Sequence, residues 1–176
     1  MIKMTTELFE KFSKKQEELD SMIREKHNIS TLVWQNDLNV NHILALKVEI
    51  AEFVNECHDA WKYWKQKSIV PDRLLDEAVD VIHFMHLLFN KDTSKTDYEN
   101  VRDINEAIKN SLDVIKEANG NFKGLLLSFV VVDDLYYIYA QLLIILDHYA
   151  FTLDDIEQAY DRKNAENHAR QKRGTY

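Results

Sequence analysis

Three Gly and one Pro in 176 residues leave too few turn formers for a sheet protein. Strand-to-strand turns draw on these residues repeatedly, Gly for positive φ and Pro for a preset φ. A chain short of both, and rich in Leu, Glu, Lys and Asp, is expected to form long helices joined by short loops. The length suits one domain over residues 1–176, and 45% hydrophobic residues can fill a core without staples. The expected fold class is all-α.

Hydrophobic periodicity divides the chain into about six helices. The first is expected from Thr5 to His27, with Leu8, Phe12, Leu19 and Ile23 on one face. Asn28–Asn39 reads as irregular and contains Trp34. The second helix is expected from Val40 to Gln66, with Ile43, Leu46, Ile50, Phe53 and Val54 as its stripe. Pro71 marks a helix start, since Pro is tolerated in the first turn. The third helix is expected from Asp72 to Asn90, and a more polar fourth from Asp97 to Ala118, stopping near Gly120. The fifth, Lys123–His148, is apolar on most sides and is expected at the centre. Thr152 offers an N-cap for the last, Leu153–Gln171, with Asp154 and Asp155 in its first turn.

A net charge of −8 disfavours nucleic acid and anionic membrane as partners, because both are polyanions. Cys57 is the only cysteine, so no intrachain disulfide is expected. The N-terminal residues lack an apolar segment of signal-peptide length, and no apolar run reaches about 18 residues. The nearest case, Leu125–Leu146, is interrupted by Asp133 and Asp134. These features point to a cytoplasmic protein.

Two carboxylate pairs stand out. Glu49 and Glu52 share a face of the second helix, and Glu77 and Asp80 share a face of the third. Like charges at this spacing repel unless a cation lies between them. One such pair reads as solvated surface. Both of these pairs, however, border the apolar stripes that turn inward. A short connection makes the two helices an antiparallel pair, which lets the four acids meet across their interface. Convergent hard oxygen ligands suit magnesium, which keeps waters or takes phosphate oxygens. A di-iron carboxylate bundle needs Glu-x-x-His on two helices. The chain has none, and Asp80-x-x-His83 is its nearest approach. The histidines do not fall at zinc-ligand spacings, and no Gly-rich phosphate loop is present.

Basic and aromatic residues complete the picture. Trp61-Lys62-Tyr63-Trp64-Lys65-Gln66-Lys67 could stack on a base and meet phosphate, or could simply pack and end a helix. Near the C-terminus, Lys163, Asn167, Arg170 and Gln171 fall at helical spacings, with Asn164 beside them. Such a stripe of donors can hold a polyphosphate, and its bland alternative is a solvated basic helix end. Phe84 could stack under a base or be a core residue.

Four motifs in order then resemble a family. Gln16-x-x-Leu19-Asp20 is similar to its first motif. Glu49-x-x-Glu52-x-x-Asn55-Glu56, followed by Trp61-Lys62-x-Trp64-Lys65, is similar to its second. Leu75-Asp76-Glu77-x-x-Asp80-x-x-His83-Phe84 resembles the third, and Tyr160-x-x-Lys163-Asn164-x-x-Asn167-x-x-Arg170-Gln171 the last. The family is the dimeric dUTPases of the all-α nucleotide pyrophosphatase superfamily, found in trypanosomatids, some bacteria and many phages. The resemblance implies a homodimer that hydrolyses dUTP, and dUDP, to dUMP. It implies that Glu49, Glu52, Glu77 and Asp80 hold two or more Mg²⁺ ions, with Glu49 also deprotonating a water that attacks the β-phosphorus. It implies that Lys163, Asn164 and Arg170, with Lys62 and Lys65, hold phosphates. Gln16 would read the uracil edge, with Phe84 or a Trp stacked on the ring. Asn55, Trp61, His83, Tyr160 and Asn167 enter the substrate-binding set through the same motifs. Superfamily relatives cleave other nucleotides, and some phage-encoded members of the family also bind a repressor, so the alternatives are a broader pyrophosphatase acting on dCTP or modified nucleotides and a regulator-binding protein with a repressor partner.

Overall fold

Thr5 opens the first helix as expected, its hydroxyl accepting a hydrogen bond from the Leu8 amide at 3.2 Å. The computed structural model describes residues 1–117 and 120–174. Among these, eight α-helices and one π-helical turn are formed, and no strand. They are α1 (Thr6–Lys26), the π turn (Val33–Asp37), α2 (Asn39–Glu56), α3 (His58–Trp61), α4 (Pro71–Lys91), α5 (Asp97–Glu117), α6 (Phe122–Val131), α7 (Leu135–His148) and α8 (Leu153–Arg173). No described helix is long and apolar enough to cross a membrane.

Three expectations change. The second helix ends at Glu56 rather than Gln66. There Trp61 folds back and donates its indole N–H to the Val54 carbonyl at 2.9 Å, satisfying an acceptor that the helix end leaves free. The fifth helix is two helices. Val132 is extended, and Asp134 caps α7 by accepting from the Tyr136 and Tyr137 amides at 2.9 and 3.1 Å. Asp133 instead pairs with Lys47 of α2 at 2.9 Å. The stretch read as irregular holds the π turn, a form often found at functional sites. The expected end of the fourth helix, Ala118, lies outside the described residues, and Gly120 takes φ +71° beyond it, with its N–H on the Ile115 carbonyl.

The centre of the bundle is α4, which packs on α1, α2, α7 and α8. Its partner α7 is buried continuously from Ile138 to Leu146. Helices α2 and α4 run antiparallel: Glu56 at the end of α2 pairs with Arg73 at the start of α4 (2.8 Å), while Asn39 at the other end meets Lys91 (3.2 Å). Leu46, Ile50 and Phe53 of α2 and Leu74, Ala78, Val81 and Ile82 of α4 are fully or nearly fully buried. Helix α8 is clamped onto α1 and α4 by Lys11 and Lys15 on Asp161 (2.7 and 2.8 Å) and by Arg162 on Asp76 (2.8 Å).

One polar chain crosses this core. Ser13 Oγ lies 2.9 Å from His86 Nδ1, and His86 Nε2 lies 3.0 Å from the Tyr139 hydroxyl. His86 is wholly buried, and burial pushes its imidazole down to about 3, so it stays neutral and one ring nitrogen donates while the other accepts. Replacing Tyr139 with Phe strands one of those nitrogens. Tyr139→Phe is expected to lower unfolding stability by about 1–2 kcal/mol, measured by urea denaturation at pH 7. An unchanged midpoint would show that the chain does not bear on stability.

An acidic cavity between four helices

Three of the four acids expected to meet lie together, and the fourth, Asp80, does not join them. Carboxylate oxygens of Glu49 and Glu52 on α2 and Glu77 on α4 lie within 4.8 Å of one another. Asp80, one turn beyond Glu77, is turned to α8, where its Oδ2 accepts from the Lys163 ammonium at 2.6 Å. Both members of that pair are largely enclosed, at 19% and 18% side-chain exposure. Burial, followed by the charges of Asp80, Glu52 and Glu77, pushes the Glu49 carboxyl up to about 7, with Lys163 opposing. Burial and the Asp80 and Glu52 charges likewise raise Glu77. Burial raises Asp80 too, and Lys163 only partly offsets it. Burial works to discharge Lys163, but its hydrogen bond to Asp80 together with the Asp80, Asp76 and Glu77 charges raises its pKa. The seam therefore carries more negative charge than its one ammonium balances. Three hard oxygen donors this close fit a divalent cation.

Beside the acids opens a cavity of about 400 Å³. Glu49, Asp80, Lys163, Asn167 and Arg170 line its charged part. Gln16, His83 and Phe84, all predicted, line the rest. Gln16 is locked in place: its Oε1 is 2.7 Å from His83 Nδ1, and its Nε2 donates to Asp20 Oδ1 at 2.7 Å. Burial, with the Lys163 and His168 charges adding to it, pushes His83 down to about 3. The neutral ring donates Nδ1–H to Gln16 and keeps a bare acceptor at Nε2. Burial pushes the Asp20 carboxyl up to about 7 against the Gln16 hydrogen bond.

Two lining residues escaped the sequence reading. Trp34 of the π turn is 6% exposed and packs against His42 at 4.5 Å between centroids with the rings tilted by 51°, and the Arg24 guanidinium lies 5.3 Å from its ring. A lone Trp in an aperiodic stretch was the only available signal. Burial, then the Lys91 charge, pushes His42 down to about 4. Asp20 Oδ2, His42 Nδ1 and His83 Nε2 are all buried without a hydrogen-bond partner, and all three residues line this one cavity. Native proteins pair most such atoms, so three together mark a place that meets a polar ligand.

Other predicted residues lie elsewhere. Tyr160 is buried beneath the cavity, stacked between Phe12 (4.0 Å) and His83 (4.2 Å), with its hydroxyl on the Phe12 carbonyl. Asn164 is buried and reaches the Lys15 carbonyl at 3.4 Å. Asn55, Trp61, Lys62 and Lys65 do not line the cavity. Lys62 donates to the Asn55 side chain and lies 4.8 Å from the Trp61 ring.

Lys163 is the charge that holds Asp80 at the seam. Lys163→Met is expected to cost about 2 kcal/mol at neutral pH in chelator-treated protein, read by denaturant unfolding. The sign follows from Asp80: stripped of its cation, its folded pKa rises further above the unfolded value, so the loss is full above that folded pKa and shrinks as acid protonates the carboxyl. A pH-independent loss would mean that Lys163 acts through packing alone.

A family model described as dUTPase matches residues 8–175. No curated protein and no solved structure matches the chain significantly. The match begins at Leu8 in α1 and runs past the end of α8, so it includes every helix that lines the acidic cavity. The chain belongs to the dimeric all-α dUTPase family and is a dUTP diphosphatase, a hydrolase of nucleotide phosphoanhydrides.

Proposed function

We propose that the chain is a single magnesium-dependent pyrophosphatase domain that converts dUTP, and also dUDP, to dUMP, working as a homodimer. One juxtaposition carries the reading. Glu49, with Glu52 and Glu77 beside it, shares a cavity with Lys163, Asn167 and Arg170. Acids alone could be a solvated face, and a basic stripe alone could be a helix end. Together they can take a cation and the phosphates it accompanies.

In this reading Glu49, Glu52, Glu77 and Asp80 hold magnesium, which when bound neutralises phosphate charge and acidifies water. Glu49 orients the attacking water and accepts its proton at a carboxylate oxygen. Attack at the β-phosphorus breaks its bond to the α–β bridging oxygen, which leaves with dUMP, and the water oxygen ends in pyrophosphate. With dUDP the same displacement yields orthophosphate. Lys163 meets phosphate as a point charge, and Arg170 can meet two phosphate oxygens at once. Tyr160 and Asn164 act from beneath, holding His83 and the face of α8 in position. At the neutral end, Gln16 and His83 meet the polar edge of the base, while Phe84 and Trp34 supply flat apolar walls for its ring. Asp20 fixes the Gln16 amide, so the edge is presented in one orientation.

Phosphate release from a panel of dNTPs, with and without Mg²⁺, tests the reading. Turnover is expected to need Mg²⁺ and to favour dUTP, and Glu49→Gln is expected to lower it by at least about 100-fold while the helical signal is unchanged. Full activity in Glu49→Gln would overturn the assignment of the acids. Equal turnover of dCTP and dUTP would overturn uracil selectivity.

The homodimer is supported by exposed apolar side chains that one subunit leaves in water. Val40, Leu44 and Val48 form a stripe on the outer face of α2 with Ile43, which is exposed there and does not join the inward stripe as its spacing suggested, and Leu127, Val130 and Val131 are exposed on the adjoining α6. A stable interface covers roughly 800 Å² on each partner. Light scattering is expected to give twice the chain mass, and Leu44→Glu is expected to reduce it to one. A wild-type monomer at micromolar concentration would rule this assembly out.

A further inference from the structure

A second groove lies between α5, α6 and α7, with a volume of about 560 Å³. None of its lining residues belongs to the acidic cavity. Its walls are Val114, Ile115, Leu125, Val132 and the Tyr137 ring, and none of the residues lining it is charged. In a chain where 30% of residues are charged, such a lining favours a neutral ligand, because a charge buried there would find no counter-charge. The size falls within the range of small-molecule sites, about 300–1,000 Å³.

The groove also has a built polar end. Gln141 and Ser111 are 5% and 7% exposed, and both line it. The Gln141 amide is oriented by its own hydrogen bond, Nε2 donating to Ser128 Oγ at 3.0 Å. That leaves Gln141 Oε1 buried with no partner, and Ser111 Oγ is buried without one as well. A carboxamide oxygen can only accept, so its missing partner is a donor; the serine hydroxyl adapts to either role. Apolar walls around a few convergent polar atoms are the usual composition of a site for a small organic molecule.

We propose that this groove is a second binding site, for a small neutral molecule with an apolar ring and one N–H or O–H donor, of the indole or phenol kind. The donor meets Gln141 Oε1 and the ring lies against Val114, Leu125 and Val132. The site is independent of the nucleotide chemistry proposed above.

Indole and 1-methylindole make a matched pair of probes, because methylation removes the only donor and leaves the ring. Each is titrated into the full chain while methyl resonances are followed by NMR. Indole is expected to shift the Val114, Leu125 and Val132 methyls saturably, leaving Leu19 and Ile23 of the acidic cavity unmoved. It is expected to bind about tenfold tighter than 1-methylindole, the effect of one buried hydrogen bond. Gln141→Met is expected to abolish that preference with dUTP hydrolysis unchanged. Three results overturn the proposal: no saturable shift up to the solubility limit of indole, equal affinity for the two probes in the wild-type chain, or shifts of these methyls on protein dilution alone, which assign the groove to a second copy. The wild-type comparison decides even if the variant does not fold.

Discussion

Helices α2 and α4 place Glu49, Glu52 and Glu77 within 4.8 Å of one another at a half-buried seam, and the site depends on how that repulsion is tolerated. The apolar side of the seam holds the helices together. Leu46, Ile50 and Phe53 bury against α4, and the Glu56–Arg73 pair closes the far end. Helix α8 supplies the one internal counter-charge, Lys163, on Asp80. Its position is itself fixed by the Lys11, Lys15 and Arg162 ion pairs and by Tyr160 stacked between Phe12 and His83. Acids that could take a cation and donors that could take an anion thus come together where α2, α4 and α8 line one cavity. Interior charges of opposite sign, arranged in advance, are the general means of stabilising a transferring phosphoryl group.

The cavity is divided by burial. Toward the seam, carboxylates, Lys163 and Arg170 make it ionic. Away from it, His42 and His83 are held neutral because charging them would strand a cation in the interior. Their neutrality matters to recognition: a neutral imidazole presents one donor and one acceptor, whereas a charged one presents two donors. The chain from His83 through Gln16 to Asp20 sets which is which. A nucleotide has the same division, a polyanion at one end and a neutral, directional hydrogen-bonding edge at the other.

Local signals were legible where local physics decides. Thr152 caps α8 as expected, α1 begins beside Thr5, and Pro71 starts α4. The i, i+3 acids needed only the helical repeat and the adjacent apolar stripe to be placed at an interface. The reading failed where periodicity continues but the backbone does not. Lys123–His148 is apolar on most sides and was read as one helix, although Asp133 and Asp134 interrupt it at the extended break after Val132, which is held by Asp134 capping and by Asp133 reaching Lys47. Trp61 and the lysines after it continue the helical repeat of α2, yet the helix has already ended. His42 and Trp34 were illegible because the π turn, which no periodicity announces, is what brings Trp34 against His42 at the cavity.

By itself the sequence determined the all-α class, the faces that turn inward and the chemistry of the acids and of the basic stripe. These follow from residue type and from a repeat of 3.6, both of which act over a few neighbours. Only the tertiary structure decided that Asp80 is paired with Lys163, that Tyr160 and Asn164 support the cavity from beneath, and that the groove around Gln141 exists at all. Those outcomes depend on the packing of α8 on α1 and α4 and of α5, α6 and α7 on one another. Contacts between residues far apart in the chain are set by the shape of the whole core, and no local pattern encodes that.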